Sequence, residues 1–261
     1  MDAHQNSSAG GTAYDSHAAW YEDFVQTPLF TDLIYPAVLN LAGNVRSRQV
    51  CDIACGTGAV SRELARRGAR VIAVDLSLPQ LQIACEHEAQ EPLGVTYVHA
   101  DAQTLHLVDQ AFDVVTCCHG LTDIPDLEAT IHTVRRLLRP RGCFVFSIPH
   151  PCFQTPHYEW TTLEDGRTGQ VLTGYFDEGF WRSANREGIR YRVGAYHRSL
   201  STYLNALTQA GFTLDQLDEP RASGRLAEQN PGYAHLPGVL IARCRRGPAR
   251  TPRRTDRGRT T

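Results

Sequence analysis

Short, apolar, β-branched runs alternate with helical patterns through the middle of this chain, and this alternation restricts the possible folds more than any other feature. The predicted strands cover residues 49–55, 70–75, 95–101, 112–118 and 143–149. Apolar residues at helical spacing fill the intervals between them. Strands that alternate with helices are typical of βαβ units around a parallel sheet. We therefore predict an α/β fold with a doubly wound sheet.

Local signals mark the ends of the helices. Gly68 follows a helix predicted over 60–67, and glycine is common directly after a helix. Ser77 can cap the start of the next helix, where Pro79 suits the first turn. A later helix, with its apolar residues on one face, is predicted to end at Pro140.

The cysteines and the N-terminal residues indicate a cellular compartment. The eight cysteines form no CxxC pair and lie mostly in apolar runs, which favours buried thiols over disulfides or zinc ligands. The chain starts without a cationic segment or an apolar signal sequence, and no apolar stretch reaches the roughly 18 residues of a membrane helix. We expect a cytoplasmic protein without a membrane anchor.

Charge is distributed unevenly along the chain. All 26 basic residues are arginine, and the segment from Arg243 to Thr261 holds eight of them and one acid, Asp256. That segment carries +7, so a net charge of −2 leaves −9 on residues 1–242. An acidic body argues against extended contact with a nucleic-acid backbone, which requires a basic surface. The arginine-rich end has no apolar face and is predicted to be a disordered tail.

Composition divides the chain of 261 residues into five predicted parts. The region before the first strand has helical spacing, whereas the region after the fifth strand is rich in aromatic residues and glycine. A long ordered insertion in a compact domain is usually functional. The parts are an N-terminal helical lid (1–44), a core (45–149), a cap insertion (150–197), the C-terminal part of the core (198–246) and the tail (247–261).

A glycine turn joins the first predicted strand to the first helix. Gly56 and Gly58 leave room for backbone N–H groups to face a ligand at the helix N-terminus. Ser61 occupies the position of the third glycine in the dinucleotide motif GxGxxG, which disfavours a nicotinamide cofactor. The carboxylate of Asp52 would repel a pyrophosphate and suits a ligand with an ammonium group.

The stretch "DIACGTG" resembles the first motif of the class I S-adenosylmethionine-dependent methyltransferases. The segments "VIAVDLS", "HADAQTL", "FDVVTCCHGLTDIPD" and "LLRPRGCFVFSIP" match later motifs of that family in order, so the resemblance covers roughly Tyr14 to Gln216. It is similar to the small-molecule branch that includes ubiquinone and menaquinone methyltransferases. The resemblance implies S-adenosylmethionine as cofactor and a seven-stranded, Rossmann-like sheet of order 3-2-1-4-5-7-6 with the last strand antiparallel.

The resemblance also implies a cofactor site at the carboxyl ends of the first three strands. Its residues are Asp52, Gly56 and Gly58 at the methionine end, Asp75 and Leu76 at the ribose, and Asp101 and Ala102 at the adenine. Each acid alone could equally cap a turn or end a strand. Tyr14 and Tyr21, seven residues apart, could close over the cofactor as an aromatic lid or simply pack against a helix.

Methyl transfer needs an aligned nucleophile, and a general base only when the acceptor is protonated. His119 follows the fourth predicted strand and His150 the fifth, so both are predicted at the carboxyl edge of the sheet as catalytic candidates. His119 is also a candidate cofactor contact. The alternative is that either histidine only supports its loop.

The cap is predicted to supply an acceptor pocket with apolar walls and a few polar anchors. The candidate substrate-binding residues are Tyr175, Phe176, Glu178, Trp181 and His197. Histidines and carboxylates do not occur as a close helical pair of ligands, so no metal site is predicted.

These observations predict a methyltransferase that acts on an oxygen or nitrogen atom of a small, aromatic or apolar metabolite. The expected partner is that small-molecule acceptor, with no nucleic acid and no membrane. An RNA methyltransferase anchored by the tail is an alternative, as is an isomerase, cyclase or binding protein that retains the cofactor without methyl transfer. The oligomeric state stays open, with a homodimer as one option.

Overall fold

The computed structural model describes residues 11–247, which form helices and strands joined by loops. Its first half contains α1 (Ala18–Val25), a π-helix (Leu29–Ile34), α2 (Tyr35–Ala42), β1 (Gln49–Ile53), α3 (Ala59–Arg66), β2 (Arg70–Asp75), α4 (Leu78–Gln90), β3 (Thr96–His99), β4 (Phe112–Cys118), α5 (Leu127–Leu137) and β5 (Leu138–Pro149). The second half contains β6 (His157–Thr162), β7 (Thr168–Thr173), β8 (Gly179–Trp181), α6 (Ile189–Arg192), β9 (Ala195–His197), α7 (Leu200–Gln209), β10 (Phe212–Asp218), α8 (Gly224–Gln229) and β11 (Val239–Arg246).

Seven of these strands form one sheet in the order β3-β2-β1-β4-β5-β11-β10. The first five strands pair in parallel, and β11 runs antiparallel to both of its neighbours. When the cap strands are left out of the count, β10 is the sixth strand and β11 the seventh. The predicted order 3-2-1-4-5-7-6 and the antiparallel last strand are therefore confirmed.

Most local signals give the expected element boundaries. The strands β2 and β4 have the predicted bounds. The Ser77 hydroxyl accepts the N–H of Gln80 and caps α4. The predicted end of α5 at Pro140 is wrong, because Leu138 already has extended backbone and begins β5. A residue before proline avoids helical backbone, and proline lacks the N–H that would continue the helix.

Both faces of the sheet are covered by helices, as a parallel sheet requires. On one face, Phe144 and Leu137 belong to a cluster of buried apolar side chains from the sheet, α5 and α7. On the other, Ile34 and Leu64 belong to a cluster formed by the sheet, α2 and α3. The carboxyl ends of β1, β2 and β4 thus emerge at one edge of a well-packed core.

The predicted cap contains two small antiparallel sheets, β6-β7 and β8-β9, and the short helix α6. The lid contains α1, the π-helix and α2, and contributes buried residues to the core cluster on its face of the sheet. No helix in residues 11–247 is both long and apolar enough to span a membrane. The predicted tail lies outside the described residues apart from Gly247. The five-part division of the chain stays a prediction.

The central strands are tightly packed, so a cavity in β5 is predicted to lower the free energy of unfolding strongly. Phe146 is 1% exposed. We expect Phe146→Ala to lower the free energy of unfolding by about 3–5 kcal/mol, since it removes apolar contacts and leaves a cavity. Val108→Ala, at a side chain that is 76% exposed, should change it by less than about 0.5 kcal/mol. Urea denaturation followed by circular dichroism measures both, and equal effects would contradict this account of the core.

Candidate functional site

Asp52 lies near the end of β1 and is 1% exposed. Its two carboxylate oxygens accept hydrogen bonds from the hydroxyls of Ser61, at 2.5 Å, and Thr116, at 2.6 Å. Burial raises the pKa of Asp52 to about 6, although both hydroxyl hydrogen bonds act in the opposite direction. A charge held at this depth is costly unless it is paired, so the site is suited to a cationic ligand group.

The glycine turn, residues 55–58, follows β1 and leads into α3. Gly56 and Gly58 have φ values of +57° and +85°, a region that side chains disfavour. A Cβ at Gly56 would lie 2.8 Å from the amide oxygen of Gln80 and 3.4 Å from the ring of Tyr21. Only glycine allows the backbone to approach α4 and the lid this closely.

Asp75, the last residue of β2, is connected to the glycine turn. One carboxylate oxygen accepts the N–H of Gly56 at 2.7 Å, and the other accepts the N–H of Ser77 at 2.8 Å. Burial raises the pKa of Asp75, and these backbone donors oppose the shift. The neighbouring Leu76 is 36% exposed, and its carbonyl accepts a hydrogen bond from His99.

Asp101 and Ala102 follow β3 at the same edge of the sheet. The Asp101 carboxylate accepts hydrogen bonds from the backbone N–H of Gln103 and from its side-chain amide. Ala102 is buried in the core. The carbonyl oxygen of the Gln103 side chain accepts the N–H of Asp126, so Asp101 is joined indirectly to the start of α5.

Tyr14 and Tyr21 meet edge to face, with their ring centroids 5.1 Å apart. They do not share one helix, because α1 begins at Ala18 and Tyr14 precedes a short 3-10 turn. The Tyr14 hydroxyl donates to a carboxylate oxygen of Asp123 at 3.0 Å. The lid is therefore joined to the loop that follows β4.

A cavity separates the lid from the glycine turn. Its volume is only about 20 Å³, room for about one water molecule, so the lid lies close to the turn. Polar and apolar side chains from the lid, the ends of β1 and β4, and the start of α3 surround it. They include Tyr21, Val25, Phe30, Tyr35, Asp52, Thr57 and Cys118. Asp52 and Tyr21, both predicted cofactor residues, thus line one cavity.

His119 follows β4 with a positive φ of 62°. Its Nδ1 lies 2.8 Å from the Ser147 hydroxyl, and its ring packs against Phe30 of the lid. The Ser147 hydroxyl can donate to the thiol of Cys118, in which case His119 carries its proton on Nδ1. Burial, with a smaller contribution from the positive charge of Arg190, lowers the pKa of His119 to about 3.

His150 lies one residue beyond β5 and is 3% exposed. Its Nε2 is 2.7 Å from the carboxylate of Glu219, and its Nδ1 accepts the N–H of Cys152. Both ring nitrogens therefore have protein partners. The structure places His150 beside the end of β10, away from the residues that line the cavity.

The predicted acceptor residues of the cap meet mainly at the start of α7. The Tyr175 hydroxyl accepts the N–H of Leu200, and its carbonyl accepts a hydrogen bond from His197. Glu178 accepts the N–H of Ser199 and so supports the first turn of α7. The other two predicted residues are placed differently: Phe176 is 86% exposed, and Trp181 pairs with Ala195 between β8 and β9.

Several residues that build this site were not predicted from the sequence. Asp123 binds Tyr14 and also accepts a hydrogen bond from Arg190 at 2.6 Å. Phe30 and Tyr35 line the cavity from the lid. The aromatic composition of the lid was a usable signal for these two. The Asp123 to Arg190 contact joins residues 67 positions apart, and no local pattern indicates it. Within residues 11–247, no group of three or more histidines, cysteines or acids could hold a metal.

Residues 51–146 match a family model described as a methyltransferase domain. The ubiquinone biosynthesis O-methyltransferase of Photorhabdus laumondii is 33% identical over 111 residues, 42% of this chain and 46% of that protein. The chain thus spans about half the length of this curated relative. An uncharacterized protein of Haemophilus influenzae is 30% identical over 225 residues, 81% of this chain and 86% of that protein.

A solved structure supports the same similarity. The crystal structure of an S-adenosylmethionine dependent methyltransferase from Mesorhizobium loti aligns with a TM-score of 0.71 and 28% identity. The alignment covers 85% of this chain and 99% of that chain. The similarity therefore extends well beyond residues 51–146.

The pKa of Asp52 predicts how cofactor affinity changes with pH. We expect the affinity for S-adenosylhomocysteine to fall about tenfold between pH 7.5 and about pH 5, because Asp52 becomes protonated and no longer attracts the ligand's ammonium group. Calorimetry at several pH values measures this, and Asp52→Asn should bind weakly without the pH dependence.

Methylthioadenosine provides the matched ligand control, since it keeps the nucleoside and lacks the ammonium group. Its affinity should stay nearly constant over the same pH range. A parallel loss for both ligands would assign the pH dependence to another group, such as Asp75, and contradict the role given to Asp52.

Proposed function

Because this chain belongs to the class I S-adenosylmethionine-dependent methyltransferases, we propose that it transfers a methyl group to an oxygen or nitrogen atom of a small, aromatic or apolar acceptor. The observation that carries the proposal is the small cavity between the lid and the glycine turn, which Asp52 and the aromatic residues Tyr21, Phe30 and Tyr35 line together. A cationic amino-acid group and an apolar acceptor suit such a lining once the lid moves away from the turn.

The residues around the glycine turn fit the cofactor. When bound, S-adenosylmethionine supplies an electrophilic methyl group on a sulfonium. Asp52 would hold the ammonium group, and Asp75 would accept the ribose hydroxyls with the lone pairs that the N–H groups of Gly56 and Ser77 leave available. Leu76, Asp101 and Ala102 would contact the nucleoside. The backbone of Gly56 and Gly58 would face the methionine part without a Cβ between.

The lid would exclude water from the reacting atoms. Tyr21, Phe30 and Tyr35 form aromatic walls over the turn. Their rings raise the share of apolar surface around a sulfonium, and aromatic faces attract cations. Tyr14 would support this arrangement through its ring contact with Tyr21.

His119 would act on the acceptor through Nε2. Its Nδ1 is occupied by Ser147, and none of the described residues forms a hydrogen bond with Nε2. A lowered pKa keeps the ring neutral, so Nε2 can accept a hydrogen bond from an acceptor hydroxyl or amine and orient its lone pair. This role is that of a weak base and a positioning group at the end of β4.

His150 is the second catalytic candidate and is better suited to an indirect role. Its pairing with Glu219 would fix the start of the cap, and so the position of the cap residues that surround the acceptor. Tyr175, Phe176, Glu178, Trp181 and His197 would then form the acceptor boundary, with Tyr175, Glu178 and His197 fixing its shape and the exposed Phe176 closing over the substrate.

The first test concerns the acceptor. We expect wild-type protein incubated with methyl-labelled S-adenosylmethionine and a metabolite extract to transfer the label to a small molecule, detected by mass spectrometry. Asp75→Ala should abolish labelling because the ribose contacts are lost. Label recovered in RNA added to the same reaction would favour the alternative acceptor, and no labelled product despite cofactor binding would favour a binding protein.

The second test concerns His119. With an acceptor in hand, His119→Ala should lower turnover by up to about 10²-fold, as expected when a positioning contact is lost, while S-adenosylhomocysteine affinity stays near wild type. Titration of His119 should not lower the wild-type rate near pH 6.5, because the pKa of its ring is about 3. His132→Ala, at an exposed position of α5, is the matched control and should keep full turnover.

A His119→Ala variant with near-normal turnover would contradict the role of Nε2. The acceptor would then be oriented by the cap alone, and His150→Ala would become the decisive variant.

A further inference from the structure

Two arginines of α6 connect the cap to the lid and its neighbouring loop. Arg190 binds Asp123, which in turn binds Tyr14. Arg192 places its guanidinium 4.5 Å from the ring centroid of Trp20, on α1. These contacts join α6 of the cap to the loop after β4 and to α1 of the lid.

The Arg190 guanidinium is fixed by several groups. One nitrogen donates to Asp123 at 2.6 Å and to the carbonyl of Gly194 at 3.1 Å, and the other donates to the hydroxyl of Thr122 at 3.1 Å. The side chains of Arg190 and Asp123 are 16% and 23% exposed. Removal of either partner from such an ion pair leaves a poorly solvated charge.

Asp123 transmits this contact to the lid. Its second carboxylate oxygen accepts the Tyr14 hydroxyl, and the Tyr14 ring packs on Tyr21. The Tyr21 ring lies within van der Waals distance of the position a Cβ would take on Gly56. A series of contacts therefore runs from α6 in the cap to Tyr21, whose ring lies beside the glycine turn.

We propose that Arg190 is a positioning residue which, through Asp123 and Tyr14, holds the lid closed over the glycine turn and makes cofactor binding depend on an ordered cap. The inference rests on the proposed cofactor site and does not depend on the identity of the acceptor. The coupling is reciprocal. A ligand that orders the cap strengthens cofactor binding, and the cofactor strengthens the binding of that ligand by the same factor.

Calorimetry with S-adenosylhomocysteine tests this proposal on the full chain. Arg190→Ala should weaken binding about tenfold, and Arg190→Lys should restore part of the loss because the positive charge returns. Tyr14→Phe removes only the hydroxyl and should weaken binding to a smaller extent. The double variant of Arg190→Ala and Tyr14→Phe should lose less binding free energy than the sum of the two single losses, since both residues act through Asp123.

Arg182→Ala is the matched control. Arg182 also supports α6, because it donates to the carbonyls of Tyr191 and Arg192, but it makes no hydrogen bond with Asp123. The control should bind S-adenosylhomocysteine within about twofold of wild type. Hydrogen exchange in α1 should accelerate in Arg190→Ala and stay unchanged in Arg182→Ala.

Three results would overturn the proposal. Arg190→Ala could melt earlier than wild type yet bind the ligand normally, which would make the ion pair merely structural. Arg182→Ala could weaken binding as strongly as Arg190→Ala, or the Tyr14 and Arg190 effects could be fully additive. By contrast, wild-type protein that fails to bind S-adenosylhomocysteine would refute the proposed cofactor site itself, so the two failures are distinguishable.

Discussion

The hydrogen bond from the N–H of Gly56 to Asp75 is the interaction on which the rest of the site depends. It fixes the glycine turn to the end of β2, while the second oxygen of Asp75 holds Ser77 at the start of α4. The turn can then present its backbone at the edge of the sheet, with Asp52 buried below it and Tyr21 above. One carboxylate therefore positions two helices and a turn while keeping lone pairs for a ligand.

The fold was largely predictable because its signals are local. Alternating apolar runs located the strands, and a serine followed by a proline located α4. The family, the sheet order and S-adenosylmethionine as the cofactor are confirmed. The end of α5 was predicted too late. The apolar spacing continued to Leu138, but the helix ends at Leu137 because the residues next to Pro140 adopt extended backbone.

The site was predictable only where its residues follow strands directly. Asp52 and Asp75 could be placed at strand ends from the sequence, and their roles at the cofactor stay predictions. The partners of Tyr14 could not be found, since Asp123 lies 109 residues away and Arg190 belongs to an insertion without a family pattern. The environment of His119 was equally invisible, because its lowered pKa depends on burial beneath the lid.

Both ends of the cap are attached to the core rather than to each other. At its start, the N–H of His150 donates to the carbonyl of Gly238, beside β11. Just after its end, Arg198 donates to the carbonyls of Leu121 and Ile124 in the loop after β4. The intervening segment can therefore change in length or sequence at little entropic cost to the sheet. Apart from the contact between Arg190 and Asp123, the insertion could therefore diverge while the sheet is inherited intact.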